Sequence, residues 1–133
     1  MRRRVSSSKL FLGVDIVEYK KARVFYSHHQ NRLKTYFNKE EVLLIQKGQK
    51  PYETLALLLA AKEAVFKSSG LAWMGTDGFR KIRILSQKNS QLSFRLRGNF
   101  KKSFMRRPVS ALSFVKSRDY VIAECRSAPC AGI

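Results

Sequence analysis

Apolar and polar positions divide the chain into segments of different period. Residues 10–19 (Leu10-Phe11-Leu12-Gly13-Val14-Asp15-Ile16-Val17-Glu18-Tyr19) are almost continuously apolar up to Val17, which predicts a buried strand. Residues 20–37 predict a helix. Its candidate buried positions are Ala22, Phe25, Tyr26, Leu33 and Phe37, and Lys20, Lys21, Arg23, Arg32 and Lys34 form its outer face. Asn38 reads as the N-cap of a second helix running through Val42-Leu43-Leu44-Ile45, which Gly48 to Pro51 breaks. The clearest helix covers residues 52–69. It is rich in Ala and Leu, has Glu53 in its first turn and ends at Gly70. A loop is expected over 71–78, then strands over 81–85, 91–97, 111–115 and 121–125, with a basic stretch over 99–107. The order β-α-α-α-β-β-(α)-β-β predicts a single α+β domain over 10–126. A basic tail, 1–9, precedes it and a short tail, 127–133, follows.

Two carboxylates interrupt this pattern. Asp15 lies inside the apolar strand, where a charge is costly unless paired; an exposed-face aspartate is the plainer reading. Glu63 falls beside the apolar stripe of Ala56, Leu59, Ala60 and Phe66, where a helix pair with Lys67 is the plainer reading. Together they offer the one or two carboxylates that magnesium takes alongside phosphate oxygens. Lys62 and Lys67, about a turn apart, then suit phosphates.

Charge narrows the partners. The 133 residues hold 27 Lys+Arg against 9 Asp+Glu, a net of +18, which attracts polyanions: nucleic acid, an anionic membrane, or an acidic protein with a phosphate-bearing ligand. No apolar run has the ~20 residues of a membrane helix. The tail from Arg2 to Lys9 lacks the apolar core and cleavage site of a signal peptide, so a cytoplasmic location is expected. Cys125 and Cys130 lack zinc-site spacing; Cys125 reads as a core thiol. His28 and His29 read as solvated helix residues. A nucleic-acid-binding alternative rests on Arg2, Arg3, Arg4, Arg95, Arg97, Lys101, Lys102, Arg106 and Arg107 interleaved with Phe94, Phe100 and Phe104.

Gly13-Val14-Asp15-Ile16-Val17-Glu18 resembles the opening motif of the holo-acyl-carrier-protein synthase family of 4′-phosphopantetheinyl transferases. Residues 59–70, with Lys62-Glu63-Ala64, Lys67 and Gly70, resemble its second motif. The resemblance implies an antiparallel sheet packed against helices. It implies magnesium-dependent transfer of phosphopantetheine from coenzyme A to a serine of an acidic acyl carrier protein, in lipid metabolism. It places magnesium on Asp15 and Glu63, the coenzyme at Lys62, Lys67, Ser69 and Gly70, catalysis on Glu63 and Lys67, and carrier docking on Lys20, Lys21, Arg23 and Arg32. A homotrimer is implied as well. The chain departs from the family at three places. Leu58 stands where an arginine is frequent, and Phe114 where a histidine is frequent. Gln87-Lys88-Asn89-Ser90-Gln91 replaces a Gly-Lys-Pro turn. A weakened relative that binds carriers without modifying them is the alternative those departures raise.

Overall fold

The computed structural model describes residues 10–71, 75–105, 107 and 109–128. The expectations about the 1–9 tail, Arg106 and Cys130 fall outside these residues. Five strands form one antiparallel sheet in the order β1-β5-β4-β3-β2. They are β1 (Phe11–Glu18), β2 (Ile82–Lys88), β3 (Gln91–Leu96), β4 (Val109–Lys116) and β5 (Tyr120–Ala128). The helices are α1 (Tyr19–His29), α2 (Lys39–Lys47), α3 (Pro51–Ser69), α4 (Gly75–Lys81) and α5 (Gly98–Phe104). The α+β antiparallel architecture expected from the sequence is the one observed.

Helix α3 is the centre of the fold. Pro51 opens it at N1, where the missing N–H costs nothing, and Gly70 closes it at φ 76°. Eleven of its residues are buried, including Leu55, Leu58, Ala61, Ala64 and Val65. A helix buried nearly all round must be wrapped, and α3 touches α1, α2, β1, β2, β4 and β5. Its alanines let the sheet come close. Gly13 on β1 is the extreme case: a Cβ there would lie 2.0 Å from the Ala64 carbonyl oxygen and 2.6 Å from the Ser68 nitrogen.

Some expected boundaries move. The helix predicted over 20–37 stops at His29, and a separate 3₁₀ turn, Leu33–Thr35, carries the chain on. The break lets both Leu33 and Phe37 reach the core. It also leaves Arg32 off the helix it was assigned to. His29 is half-buried rather than solvated: its ring stacks on Phe25 at 4.2 Å and its Nδ1 lies 2.9 Å from the Phe25 carbonyl. Residues 75–78, expected in a loop, open α4, with Phe79 buried and Asp77 paired to Lys81 at 3.4 Å. Strand β5 extends to Ala128, beyond the expected domain boundary, because Phe11 and Val109 pair with its last residues.

The sheet has a weak seam. Among the described residues β3 and β4 pair at Gln91–Ser113 and Leu92–Leu112, with the Phe114 amide donating to the Ser90 carbonyl at 2.9 Å next to them, whereas β1–β5 and β4–β5 pair along their lengths. The segment replacing the Gly-Lys-Pro turn still makes a tight β2–β3 hairpin. Asn89 supplies the left-handed residue at φ 57°, a conformation Asn tolerates better than most side chains.

Gly13→Ala should destabilise the chain by about 3 kcal/mol or more, since the added methyl meets backbone rather than a movable side chain. Urea unfolding of the variant beside the parent measures this.

Candidate functional site

The β1–α3 contact assembles the site. On β1, Phe11, Gly13 and Asp15 alternate toward α3 while Leu12, Val14 and Ile16 face away and are exposed. Two residues beyond the Gly13 contact, Asp15 meets the outer face of α3. Its Oδ1 accepts from Lys67 Nζ at 2.9 Å, and the same ammonium donates to the Val14 carbonyl at 3.1 Å. Glu63, one turn before Lys67, is half-buried on the same helix. Burial pushes its carboxyl above the usual range, the Asp15 charge pushes it further, and Lys67 partly offsets both. The two carboxylates that looked misplaced in sequence therefore share one charge environment. Lys67 reaches across to Asp15 rather than forming a simple pair with Glu63.

Lys62 corrects an expectation. Assigned to phosphates by the resemblance, it lies wholly inside the core. Its ammonium is 2.7 Å from Glu41 Oε1 and donates to the Phe79 carbonyl at 2.7 Å; both side chains are 0% exposed. The ring of Phe37 lies 5.3 Å away. Desolvation lowers the Lys62 pKa, and Glu41 opposes that shift. Glu41 is fully engaged as well. Its Oε1 accepts from the Asn38 amide at 2.8 Å in a capping box, and its Oε2 accepts from the Ile84 amide at 2.8 Å. The pair ties α2, α3, α4 and β2 together. The available signal in the sequence was Glu41 three residues after the Asn38 N-cap.

The far end of α3 is held from outside. Ser69 Oγ donates to the Phe66 carbonyl at 2.6 Å and accepts from the Leu71 amide at 3.1 Å, so the hydroxyl caps its own helix. Arg107 donates to the Ser68 carbonyl at 2.7 Å, and Ser103 donates to the Ser69 carbonyl at 2.8 Å. The Arg107 guanidinium also lies 3.4 Å from the centre of the Phe11 ring. No local signal marks Arg107 for this role. At Gly70 a Cβ would meet nothing within 4 Å, so its glycine answers the left-handed turn and the backbone there is open to approach.

The remaining candidates separate. Lys20, Lys21 and Arg23 are exposed on α1. Lys21 is 3.7 Å from Glu18, and Arg23 lies on the Tyr52 ring, donating to its hydroxyl at 2.9 Å. Leu58 and Phe114 are both core residues, 3% and 6% exposed, so neither presents a polar group at those places. Phe100 and Phe104 are buried too, which removes them as base-stacking surfaces. Cys125 is buried and accepts from Ser68 Oγ at 3.3 Å, with burial raising its thiol pKa, consistent with a core thiol. A wide groove between β3 and α5 is lined by Leu92, Phe94, Leu96 and Phe104 and includes none of Asp15, Glu63 or Lys67.

A sequence profile described as the 4′-phosphopantetheinyl transferase superfamily matches residues 11–125, and the chain belongs to that superfamily. Holo-acyl-carrier-protein synthase of Thermus thermophilus is 38% identical over 76 residues, covering 52% of this chain and 61% of that protein. The chain thus spans about three fifths of that relative's length. The crystal structure of holo-acyl-carrier-protein synthase from Neisseria meningitidis superposes with a TM-score of 0.73 at 27% identity, covering 87% of this chain and 95% of that one. The Helicobacter pylori holo-acyl-carrier-protein synthase, solved in complex with coenzyme A, superposes at 0.70 with 19% identity, covering 87% and 98%. No described helix is long and apolar enough to cross a membrane.

The raised Glu63 pKa has a signed consequence. Its folded value lies above the ordinary 4.5, so folding favours the neutral acid. That contribution is complete below the ordinary value and is lost as pH rises through the raised one. Glu63→Gln should therefore melt close to the parent at about pH 4 and above it at about pH 7. Thermal melts across that range measure the difference.

Proposed function

We propose that this chain transfers 4′-phosphopantetheine from coenzyme A to a serine of an acyl carrier protein, with release of 3′,5′-ADP. Family membership supports the class of reaction. The observation that carries the reading is the shared environment of Asp15, Glu63 and Lys67 at the β1–α3 contact.

The donor set fits magnesium. Two carboxylates and no imidazole or thiol suit a hard cation that takes one or two protein oxygens and leaves its other positions to phosphate and water. Among the described residues no three His, Cys, Asp or Glu side chains converge, so a closed protein cage is not present among them. Asp15 and Glu63 would hold the ion; once bound, it neutralises the coenzyme pyrophosphate and favours departure of the nucleotide. Lys67, half-exposed at the mouth of the site, is within reach to bind phosphate oxygens as a point charge. Glu63, whose raised pKa makes its carboxylate a stronger base than an exposed one, is suited in its ionised form to accept the serine proton as the hydroxyl attacks the β-phosphorus. Gly70 offers exposed backbone beside the same end of α3. Lys20, Lys21 and Arg23 present cationic groups on α1, and Arg32 follows it, to meet an acidic carrier. The coenzyme complex of the Helicobacter pylori relative supports coenzyme A as the donor.

The absence of polar groups at Leu58 and Phe114 favours weaker coenzyme binding than in relatives carrying Arg and His there. That observation keeps carrier binding without modification as a second reading.

Incubation of the protein with coenzyme A, magnesium and an acyl carrier protein, followed by mass spectrometry of the carrier, should show the gain of one phosphopantetheine. Asp15→Ala should cut the rate about a thousandfold or more while leaving the fold intact. An unmodified carrier that still binds the protein points to the second reading, and full activity of Asp15→Ala removes the metal assignment.

We further propose self-association, as the homotrimer of the family implies, through the sheet face turned away from α3. Leu12, Ile16 and Val115 are 51%, 56% and 66% exposed there, and Ile16, Ile122 and Val115 lie side by side across β1, β5 and β4. Within that face Glu124 pairs with Arg126 at 3.0 Å. Light scattering should report a multimer for the parent and a monomer for Ile16→Glu; a monomeric parent removes the proposal.

A further inference from the structure

Lys67 holds a position that a divalent ion must contest. Its ammonium is 2.9 Å from Asp15 Oδ1 and 3.1 Å from the Val14 carbonyl, so it already neutralises the carboxylate assigned above to the metal. Asp15 is the more enclosed partner: its side chain is 18% exposed against 47% for Lys67. The aspartate is therefore fixed, and the lysine, on a long flexible stem, is the member able to leave. A dication and an ammonium cannot both sit against one carboxylate without strong mutual repulsion.

We propose that Lys67 is an internal counter-ion that couples the two ligands of this site. The inference rests on the metal reading of Asp15 and Glu63 and adds the order that geometry imposes. A divalent ion reaches Asp15 well only after the ammonium has moved away. In the free protein that ammonium can move only to water or toward Glu63, one turn back on α3, which is itself assigned to the ion. A pyrophosphate bound beside Lys67 would give it an anionic destination, so the coenzyme would draw Lys67 off Asp15 and open it to the ion. The two ligands then favour each other. By thermodynamic reciprocity, the ion raises coenzyme affinity by the factor by which the coenzyme raises ion affinity. Without coenzyme, Lys67 keeps the paired carboxylates from collecting stray divalent cations. The roles expected of Lys67 from its motif are coenzyme binding and catalysis; the exchange between Asp15 and pyrophosphate is an additional one.

Manganese titrated into the full chain, followed by calorimetry or by the electron paramagnetic resonance of the free ion, tests this without any turnover. The parent should bind manganese at least ~10-fold more tightly with saturating coenzyme A than without it. Lys67→Met should bind manganese ~10-fold more tightly than the parent in the absence of coenzyme, because the competing charge is gone, and should lose most of the coupling. Lys67→Gln, checked for folding by circular dichroism, should behave in the same way. Equal or weaker manganese binding by both folded variants in the absence of coenzyme overturns the counter-ion role while leaving the metal site standing. If the parent binds no manganese with or without coenzyme, or if Asp15→Asn binds it as well as the parent, the metal reading itself is overturned and this inference with it.

Discussion

The close approach between the backbone of β1 at Gly13 and the backbone of α3 at Ala64 and Ser68 is the constraint on which the rest depends. A strand and a helix with ordinary side chains at their interface stand about 10 Å apart. Here a glycine faces a helix rich in alanine, and the two elements press together. Asp15, two residues along the strand, is thereby delivered to Lys67 and into the electrostatic range of Glu63. A bulky residue at position 13 would separate the carboxylates even if all three site residues were kept. The glycine of the first motif is thus as much part of the site's geometry as the aspartate that follows it.

The interior shows how a chain of net charge +18 uses its few acids. Glu41 and Lys62 form an ion pair with no exposure, a costly arrangement unless every hydrogen-bonding atom is used. Both groups use theirs: the carboxylate takes two backbone amides as well as the ammonium, and the ammonium adds a carbonyl. Such a pair contributes less to net stability than to uniqueness, because any alternative packing strands a charge. Losing one partner costs ~3–5 kcal/mol, far more than exchanging both for apolar residues of similar size.

Element types were legible from periodicity because burial in this fold is one-sided in the strands and nearly complete around α3. The capped ends, Asn38 and Gly70, were legible from chemistry. What escaped depended on distance in space. Lys62 and Lys67 are both lysines one turn apart, yet five residues of helix rotation send one into the core and the other to the rim. Nothing local distinguishes them, because the difference lies in Glu41, 21 positions before Lys62 in the sequence. The end of α1 was missed for a similar reason: Leu33 and Phe37 continue a helical spacing, but their burial is reached through a 3₁₀ turn. Asp15 and Glu63 were recognisable as costly residues, whereas the contact of Lys67 with Asp15 required the fold.

The seam between β3 and β4 divides the sheet into parts with different obligations. Strands β1, β5 and β4 pair fully with one another and carry the floor beneath α3. Among the described residues the β2–β3 hairpin joins that floor through two residue pairs and the bond from the Phe114 amide to the Ser90 carbonyl at its tip, and is held from above by the Glu41 contact to Ile84. Sequence drift in the hairpin therefore propagates poorly into the half that holds the carboxylates. The tip turned at Asn89, where a Gly-Lys-Pro turn is common in the family, is an instance: it lies on the hairpin, away from the strand and helix that carry Asp15 and Glu63. In such an architecture one part of a small domain is free to diverge toward new contacts while the other stays under the discipline of the chemistry.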